Sequence, residues 1–238
     1  MELIILAGGY GTRLGELVKD VPKPMLEVNG KPFLSYLLNN YTTYDVEKII
    51  ICVKYKAEII IDFFKYEYNN IPIEYLFDDK NMGTCGVIAK ALELVNTDIV
   101  VITNGDTYCE VNLNDFANIK NDKSIMSVVV QNQKSAPKKY NRYDKFYEID
   151  NNIIVSKKVL KCHKNHLVNL GIYGIRKDKI KNILPFLHKN STESFEIIFK
   201  YLLTKKENIV FYSKVHYAID IGVKNDYELF IKEKGSFC

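Results

Sequence analysis

Between Leu3 and Thr103 the chain alternates short apolar runs with segments of helical period. The runs are Leu3–Ala7, Lys48–Val53, Ile73–Phe77 and Ile99–Thr103, and between them lie 33–42, 57–66 and 86–95. Leu34, Leu37, Leu38 and Tyr41 stand at i, i+3, i+4 and i+7, so they share one helical stripe, and Val87, Ala91, Leu94 and Val95 repeat the pattern. Strand-length runs separated by helices predict an α/β chain whose sheet is mostly parallel and covered by helices on both faces. At 47% apolar and 26% charged residues the composition is that of a globular chain with a full core. No linker or repeat divides it, so a single domain over 1–238 is expected.

After Ser124 the texture changes. A strand at Ile125–Gln131 is followed by a polar basic stretch, Gln133–Arg142, and then by a hairpin pattern, Lys145–Ile149 and Ile153–Ser156, with Asn151-Asn152 as its turn. A strand at Leu167–Ile175, helices near 178–187 and 193–205, strands near 208–219 and a helix near 224–233 complete a half that reads as mixed or antiparallel.

Several function classes are excluded early. Lys plus Arg exceed Asp plus Glu by only 33 − 29 = +4, which leaves no strongly basic arm for nucleic acid. The first apolar run is too short for a signal segment, and no run reaches the ~18 residues of a membrane span. Cys52, Cys85, Cys109, Cys162 and Cys238 have no metal-ligand spacing and read as free thiols. A soluble cytoplasmic protein with no membrane or nucleic-acid partner is expected.

The chemistry concentrates after the first strand, in Leu6-Ala7-Gly8-Gly9-Tyr10-Gly11-Thr12-Arg13-Leu14. Three glycines in four positions let the backbone approach an anion and turn its N–H groups toward it. A tight turn uses glycines too, but Arg13 inside the loop and Lys23 in Pro22-Lys23-Pro24 place two cations beside it, which suits a polyphosphate. No Gly-x4-Gly-Lys-Ser/Thr run occurs, so a Walker-type ATPase is disfavoured.

Leu6-Ala-Gly-Gly-x-Gly-Thr-Arg-Leu14 with Pro22-Lys-Pro-Met25 resembles the signature of the sugar-1-phosphate nucleotidyltransferases, which make NDP-sugars from an NTP and a sugar 1-phosphate. The resemblance implies a Rossmann-like three-layer α/β/α fold, the nucleotide-diphospho-sugar transferase fold, with a small mixed β region for the acceptor. Residues 1–123 would then serve mainly the nucleotide and 124–238 mainly the sugar phosphate.

The resemblance also implies roles. Leu6, Ala7, Gly8, Gly9, Gly11 and Thr12 would cradle the nucleotide, with Arg13 on the β- and γ-phosphates and Lys23 on the reacting phosphates. Asn104-Gly105-Asp106 ends an apolar strand, where open α/β sheets bind ligands. Gly105 would touch the nucleotide, and Asp106 resembles the family's first Mg2+ ligand. Asp220, in Ala218-Ile-Asp-Ile-Gly222, resembles the second. Either aspartate alone could equally be a turn residue or helix cap.

A second glycine turn, Asn81-Met82-Gly83-Thr84-Cys85-Gly86, departs from the family's Pro-Leu-Gly-Thr pattern, so only Gly83, Thr84 and Gly86 carry over as nucleotide-binding, with Asp78 near the base. Val168–Tyr173 is similar to the sugar-binding strand, assigning Asn169 and Gly171, although Leu170 replaces a small residue. Ser194-Phe195-Glu196 is similar to an element whose carboxylate, here Glu196, binds sugar hydroxyls. Where members carry Glu-Lys-Pro this chain has Ser156-Lys157-Lys158, so Lys157, or else Lys158, would meet the sugar phosphate. Lys134, Lys138, Lys139 and Arg142 read as a solvated loop or a lid.

In its uninterrupted Pro-Lys-Pro-Met, its Gly-Thr-x-Gly turn and its length, the chain looks most like the D-glycero-α-D-manno-heptose 1-phosphate guanylyltransferases, implying GTP as nucleotide and Mg2+ as cofactor. Another hexose 1-phosphate, such as mannose, or CTP or UTP remains open, as does a nucleotide-sensing subunit without turnover. The sequence does not set the oligomeric state; a homodimer, common among such enzymes, is compatible with it.

Overall fold

The computed structural model describes residues 1–78, 82–114, 124–132, 145–149, 152–156 and 166–235. Its strands are β1 (Glu2–Leu6), β2 (Glu27–Val28), β3 (Lys31–Pro32), β4 (Lys48–Val53), β5 (Glu67–Tyr68), β6 (Ile71–Phe77), β7 (Ile99–Asn104), β8 (Thr107–Val111), β9 (Ser124–Asn132), β10 (Lys145–Ile149), β11 (Asn152–Ser156), β12 (Leu167–Arg176), β13 (Asn208–Tyr212) and β14 (Val215–Asp220). The helices are α1 (Phe33–Tyr41), α2 (Ala57–Phe64), α3 (Thr84–Glu93), α4 (Lys177–Lys189), α5 (Ile197–Thr204) and α6 (Lys224–Gly235).

Strands β7, β1, β4 and β6 pair in parallel, in that order. Their continuous apolar runs follow from burial on both faces. Leu3, Ile5, Ile49, Ile51 and Val101 pack with Leu34, Leu37 and Leu38 of α1, Ile60 of α2 and Phe230 of α6. Ile4, Ile50, Cys52, Val100 and Ile102, one residue out of step, pack with Ile88 and Leu92 of α3, Ile183 of α4, and Ile198 and Phe199 of α5. Two cores on opposite faces of one sheet make the expected three layers.

The sheet continues from the first half into the second, because β12 runs antiparallel to β7 and to β9, and β9 pairs in parallel with β13. The second half is therefore mixed, as its texture suggested. Several boundaries differ from expectation, three of them at the following places. Ile149 pairs with Asn152, so Asn152 belongs to β11 rather than to the expected turn, and Asn151 lies outside the described residues. Helix α3 starts at Thr84, with Gly83 as its cap. Helix α5 starts at Ile197 rather than 193, because the Phe195 N–H donates to the Thr84 hydroxyl at 2.7 Å and is held outside the helical ladder. No helix among the described residues is long and apolar enough to cross a membrane.

Gly83 seats the α3 terminus on the segment before α5. Its N–H donates to the Ser191 carbonyl at 2.8 Å, and a Cβ there would fall 2.3 Å from the Glu193 carbonyl oxygen. Backbone cannot yield as a side-chain tip can, so Gly83→Ala is expected to destabilise the protein by about 1–3 kcal/mol. Gly9→Ala, with nothing within 4 Å of the added carbon, should change stability by less than about 0.5 kcal/mol. Urea denaturation of the two variants measures both.

Candidate active site

The site begins where β1 runs out. The Ala7 N–H still donates to the Cys52 carbonyl at 2.8 Å, after which the chain leaves the sheet. Gly11 adopts φ +65°, a left-handed conformation that glycine takes without strain. A 3-10 segment, Thr12–Val18, follows and carries Arg13. A second 3-10 turn, Lys23–Met25, directs Lys23 inward, where it is 7% exposed.

The two aspartates meet by strand pairing. Asp106 occupies the turn between β7 and β8, where the Gly105 N–H donates to the Leu6 carbonyl at 2.9 Å. Asp220 ends β14 opposite Thr107 of β8, and the Ile221 N–H donates to the Asp106 carbonyl at 3.0 Å. Lys23 Nζ lies 2.5 Å from Asp106 Oδ2, and the Gly222 N–H donates to Asp220 Oδ1 at 2.5 Å.

Gly222 shows how tight this assembly is. A Cβ there would lie 2.6 Å from Asp220 Oδ1, 3.2 Å from Arg13 Nη2 and 3.3 Å from Lys23 Nζ. Two cations and a carboxylate thus crowd one glycine, with the second carboxylate on Lys23. Asp106 feels the result. Burial raises its pKa, but the Lys23 ammonium, its hydrogen bond, that of the Thr107 hydroxyl and the Arg13 charge together outweigh burial and hold it below the usual 3.8.

A cleft of about 420 Å3 opens over this cluster. It brings together Leu6, Gly8, Gly9 and Arg13 of the first loop, Asp78, Gly83 and Thr84 of the second, and Asp106 and Asp220. Tyr10, Lys54, Met82 and Asn104 also line it without having been singled out in the sequence. Ala7, Gly11, Thr12, Lys23 and Gly105 do not line it. Gly86 does not line it, and a Cβ there would meet the Ser191 carbonyl oxygen at 2.7 Å and Met82 Sδ at 3.1 Å.

The residues assigned to the sugar are placed differently. Asn169 is 3% exposed, its side-chain Oδ1 accepting from the Gly171 N–H at 2.9 Å and its Nδ2 donating to the Tyr173 hydroxyl at 3.0 Å. Gly171, at φ +74°, lies against the Asn104 side chain, where a Cβ would come within 2.2 Å of Nδ2. These two shape a bulge in β12 that seats Asn104. Glu196 accepts a hydrogen bond from the Ser194 hydroxyl in the turn before α5. Lys157, Lys158 and the basic residues Lys134, Lys138, Lys139 and Arg142 lie outside the described residues. Near Glu196, burial pushes the Cys85 thiol up to about 12, with Glu196 and Glu193 adding to the shift, so it is no nucleophile at neutral pH.

The profile of the nucleotidyl transferase family matches residues 2–233. The chain belongs to that family. Over 231 residues, 97% of this chain and 99% of the relative, it is 34% identical to a D-glycero-alpha-D-manno-heptose 1-phosphate guanylyltransferase of Campylobacter jejuni. A protein of the same name from Aneurinibacillus thermoaerophilus is 32% identical over 240 residues, with 98% of each chain covered. Among solved structures, HddC from Yersinia pseudotuberculosis, complexed with GMP-PN, superposes with a TM-score of 0.76 at 28% identity, covering 98% of this chain and 99% of that one. The α/β fold expected from the sequence is thus the fold of this family of nucleotidyl-transferring enzymes.

Because the folded Asp106 binds its proton more weakly than the unfolded chain does, the stability from its pairing is complete above about pH 3.8 and is lost as pH falls through the lower folded value. Carbonyl-carbon NMR should show Asp106 titrating below 3.8, and Lys23→Met should raise its midpoint; an unchanged midpoint would remove Lys23 as the cause.

Proposed function

We propose that this protein transfers a guanylyl group from GTP to D-glycero-α-D-manno-heptose 1-phosphate, releasing pyrophosphate and forming the GDP-sugar. The observation that carries the reaction type is the convergence of Arg13, Lys23 and Asp220 on Gly222, with Asp106 on Lys23, beneath a glycine loop. What supports the base and sugar is near full-length similarity to two proteins named for that reaction.

The acceptor's phosphate monoester is already anionic, so its oxygen attacks the α-phosphorus without a general base. A new P–O bond forms as the bond to the pyrophosphate oxygen breaks. Arg13 and Lys23 offset the charge on the leaving and reacting phosphates, while the loop N–H groups orient the chain of phosphates. Catalysis is then positioning and electrostatics, with no covalent enzyme intermediate.

A Mg2+ cofactor fits this donor set. Mg2+ takes one or two carboxylates and fills its remaining positions with water and phosphate oxygens, and no cluster of three or more acidic, His or Cys ligands occurs among the described residues. Asp106 and Asp220 would hold the ion, and the ammonium on Asp106 Oδ2 marks a position that already accepts a cation. The ion would supply charge neutralisation at the phosphates.

Purified protein should release pyrophosphate with Mg2+, GTP and the heptose 1-phosphate, and do so poorly with other nucleoside triphosphates or hexose 1-phosphates. Preference for another pair would overturn the substrate assignment, and no release with any pair would favour a nucleotide sensor. Lys23→Ala should cost about 3–4 kcal/mol of transition-state stabilisation, as loss of a preorganised electrostatic group does. A loss below tenfold in kcat/KM would remove Lys23 from the catalytic set.

A further inference from the structure

The two strands that lead to Asp106 and Asp220 stand apart from the main sheet. Among the described residues β8 and β14 pair only with each other, so no main-chain ladder fixes this ribbon to its neighbours. Side chains hold it instead. From the α1 side, the Asn40 amide donates to the Cys109 carbonyl at 2.8 Å and the Tyr44 hydroxyl to the Val111 carbonyl at 3.1 Å.

The last turn of α6 supplies a second set of contacts. Tyr108 and Glu110 of β8 share a face of the ribbon with Tyr217 of β14, which pairs with Glu110. Lys234 Nζ lies 3.0 Å from Glu110 Oε1 and 3.3 Å from the Tyr108 hydroxyl. It also stands 4.4 Å from the centre of the Tyr108 ring and 5.3 Å from that of Tyr217, within reach of a cation–π attraction. One ammonium thus holds both strands. Burial lowers the Lys234 pKa, but the hydrogen bond to Glu110 and the contacts with Tyr108 outweigh it and hold it above the ordinary lysine value.

The same helix holds the segment that carries Lys23. The Tyr227 hydroxyl donates to the Glu27 carbonyl, and the Asn29 amide donates to the Ile231 carbonyl at 3.4 Å. Glu27 follows Met25, the last residue of the 3-10 turn that directs Lys23 inward, by two positions. Helix α6 therefore joins the two parts of the chain that meet where Lys23 touches Asp106.

We propose that Lys234 is a positioning residue for nucleotidyl transfer, pinning β8 and β14 to α6 and so fixing Asp106 and Asp220 relative to Lys23. The inference rests on the reading of those three residues as the reacting-phosphate site, and adds to it the group that sets their spacing. Lys234, Tyr108, Glu110 and Tyr217 do not line the cleft. At about 3.3 Å per residue, Tyr108 and Glu110 lie roughly 7 and 13 Å along the chain from Asp106, so the ammonium acts through the strands. A shift of about 1 Å in such a constellation can cost about a hundredfold in rate.

Lys234→Met keeps an apolar stem and removes the ammonium. Amide exchange, followed by NMR on the full chain without substrate, reads the ribbon directly. The Ile221 N–H, which donates to the Asp106 carbonyl at 3.0 Å, should exchange about tenfold faster in the variant, while Ile4 and Ile50 of the main sheet keep their rates. With the nucleotide and sugar 1-phosphate that release pyrophosphate fastest from the unaltered protein, kcat should fall about tenfold and KM for the nucleotide should stay within about twofold, because the glycine loop hangs from β1. Lys234→Arg, which keeps a cation beside Glu110 and the two rings, should restore both readings to within about threefold. If Lys234→Met does not fold, Glu110→Gln should show the same pattern. An ion pair that serves only general stability would speed Ile4, Ile50 and Ile221 alike and leave kcat of the folded protein unchanged, and either result would overturn the inference. So would a loss that Lys234→Arg does not recover. If no substrate pair releases pyrophosphate from the unaltered protein, the transfer reading falls, and the Ile221 rate still decides whether Lys234 pins the ribbon.

Discussion

The contact between the Lys23 ammonium and the Asp106 carboxylate ties the site together. Asp106 and Asp220 sit at adjoining ends of the paired strands β8 and β14, so two negative charges are held close in a partly buried place. Burial raises the pKa of the Asp106 carboxyl unless cations intervene. Lys23, with Arg13 beside it, supplies that cancellation and keeps Asp106 ionised. Two cations against two carboxylates leave the cluster close to neutral, so it can take in a phosphate together with a balancing cation at little electrostatic cost. The 3-10 segments exist to bring Lys23 and Arg13 to this point, and the left-handed Gly11 lets the chain enter them.

Much of this arrangement was legible in the amino-acid sequence. Apolar runs buried on both faces announce parallel strands whatever their partners, and the helical stripes of α1 and α3 announce the layers that cover them. The glycine loop, Arg13, Lys23, Asp106 and Asp220 are legible as a motif, and the fold gathers Arg13, Lys23 and Asp220 at Gly222, with Asp106 on Lys23. Less legible were residues whose work depends on a partner distant in sequence. Gly83 and Gly86 read as part of a nucleotide turn, yet their missing side chains also make room for the backbone near Ser191 and Glu193. Asn169 reads as a sugar ligand by resemblance, while its amide spends both polar ends within β12. Gly222 stood two residues from Asp220 in plain view, and only the geometry shows that Arg13 and Lys23 press on it. Lys54 carried no sequence signal at all, being one lysine among many until β4 and β6 set it beside Asp78.

The cleft thus divides into two electrostatic regimes. At one end fixed charges of both signs gather where phosphates would react, and a small displacement there changes every pairwise term at once. Elsewhere on its lining, Lys54 and Asp78 form an ion pair beside the glycine loop. The glycines serve both ends, opening backbone N–H groups on one side and space in front of Asp78 on the other.

If the charged cluster acts as one unit, its members cannot contribute independently. A double-mutant cycle of Lys23→Met and Asp106→Asn, read as kcat/KM for pyrophosphate release, tests that directly. The account predicts that the double variant is worse than the poorer single variant by no more than about tenfold, since either change already dismantles the pair. Losses that multiply would contradict it, and would mean that Lys23 and Asp106 act at separate points of the reaction.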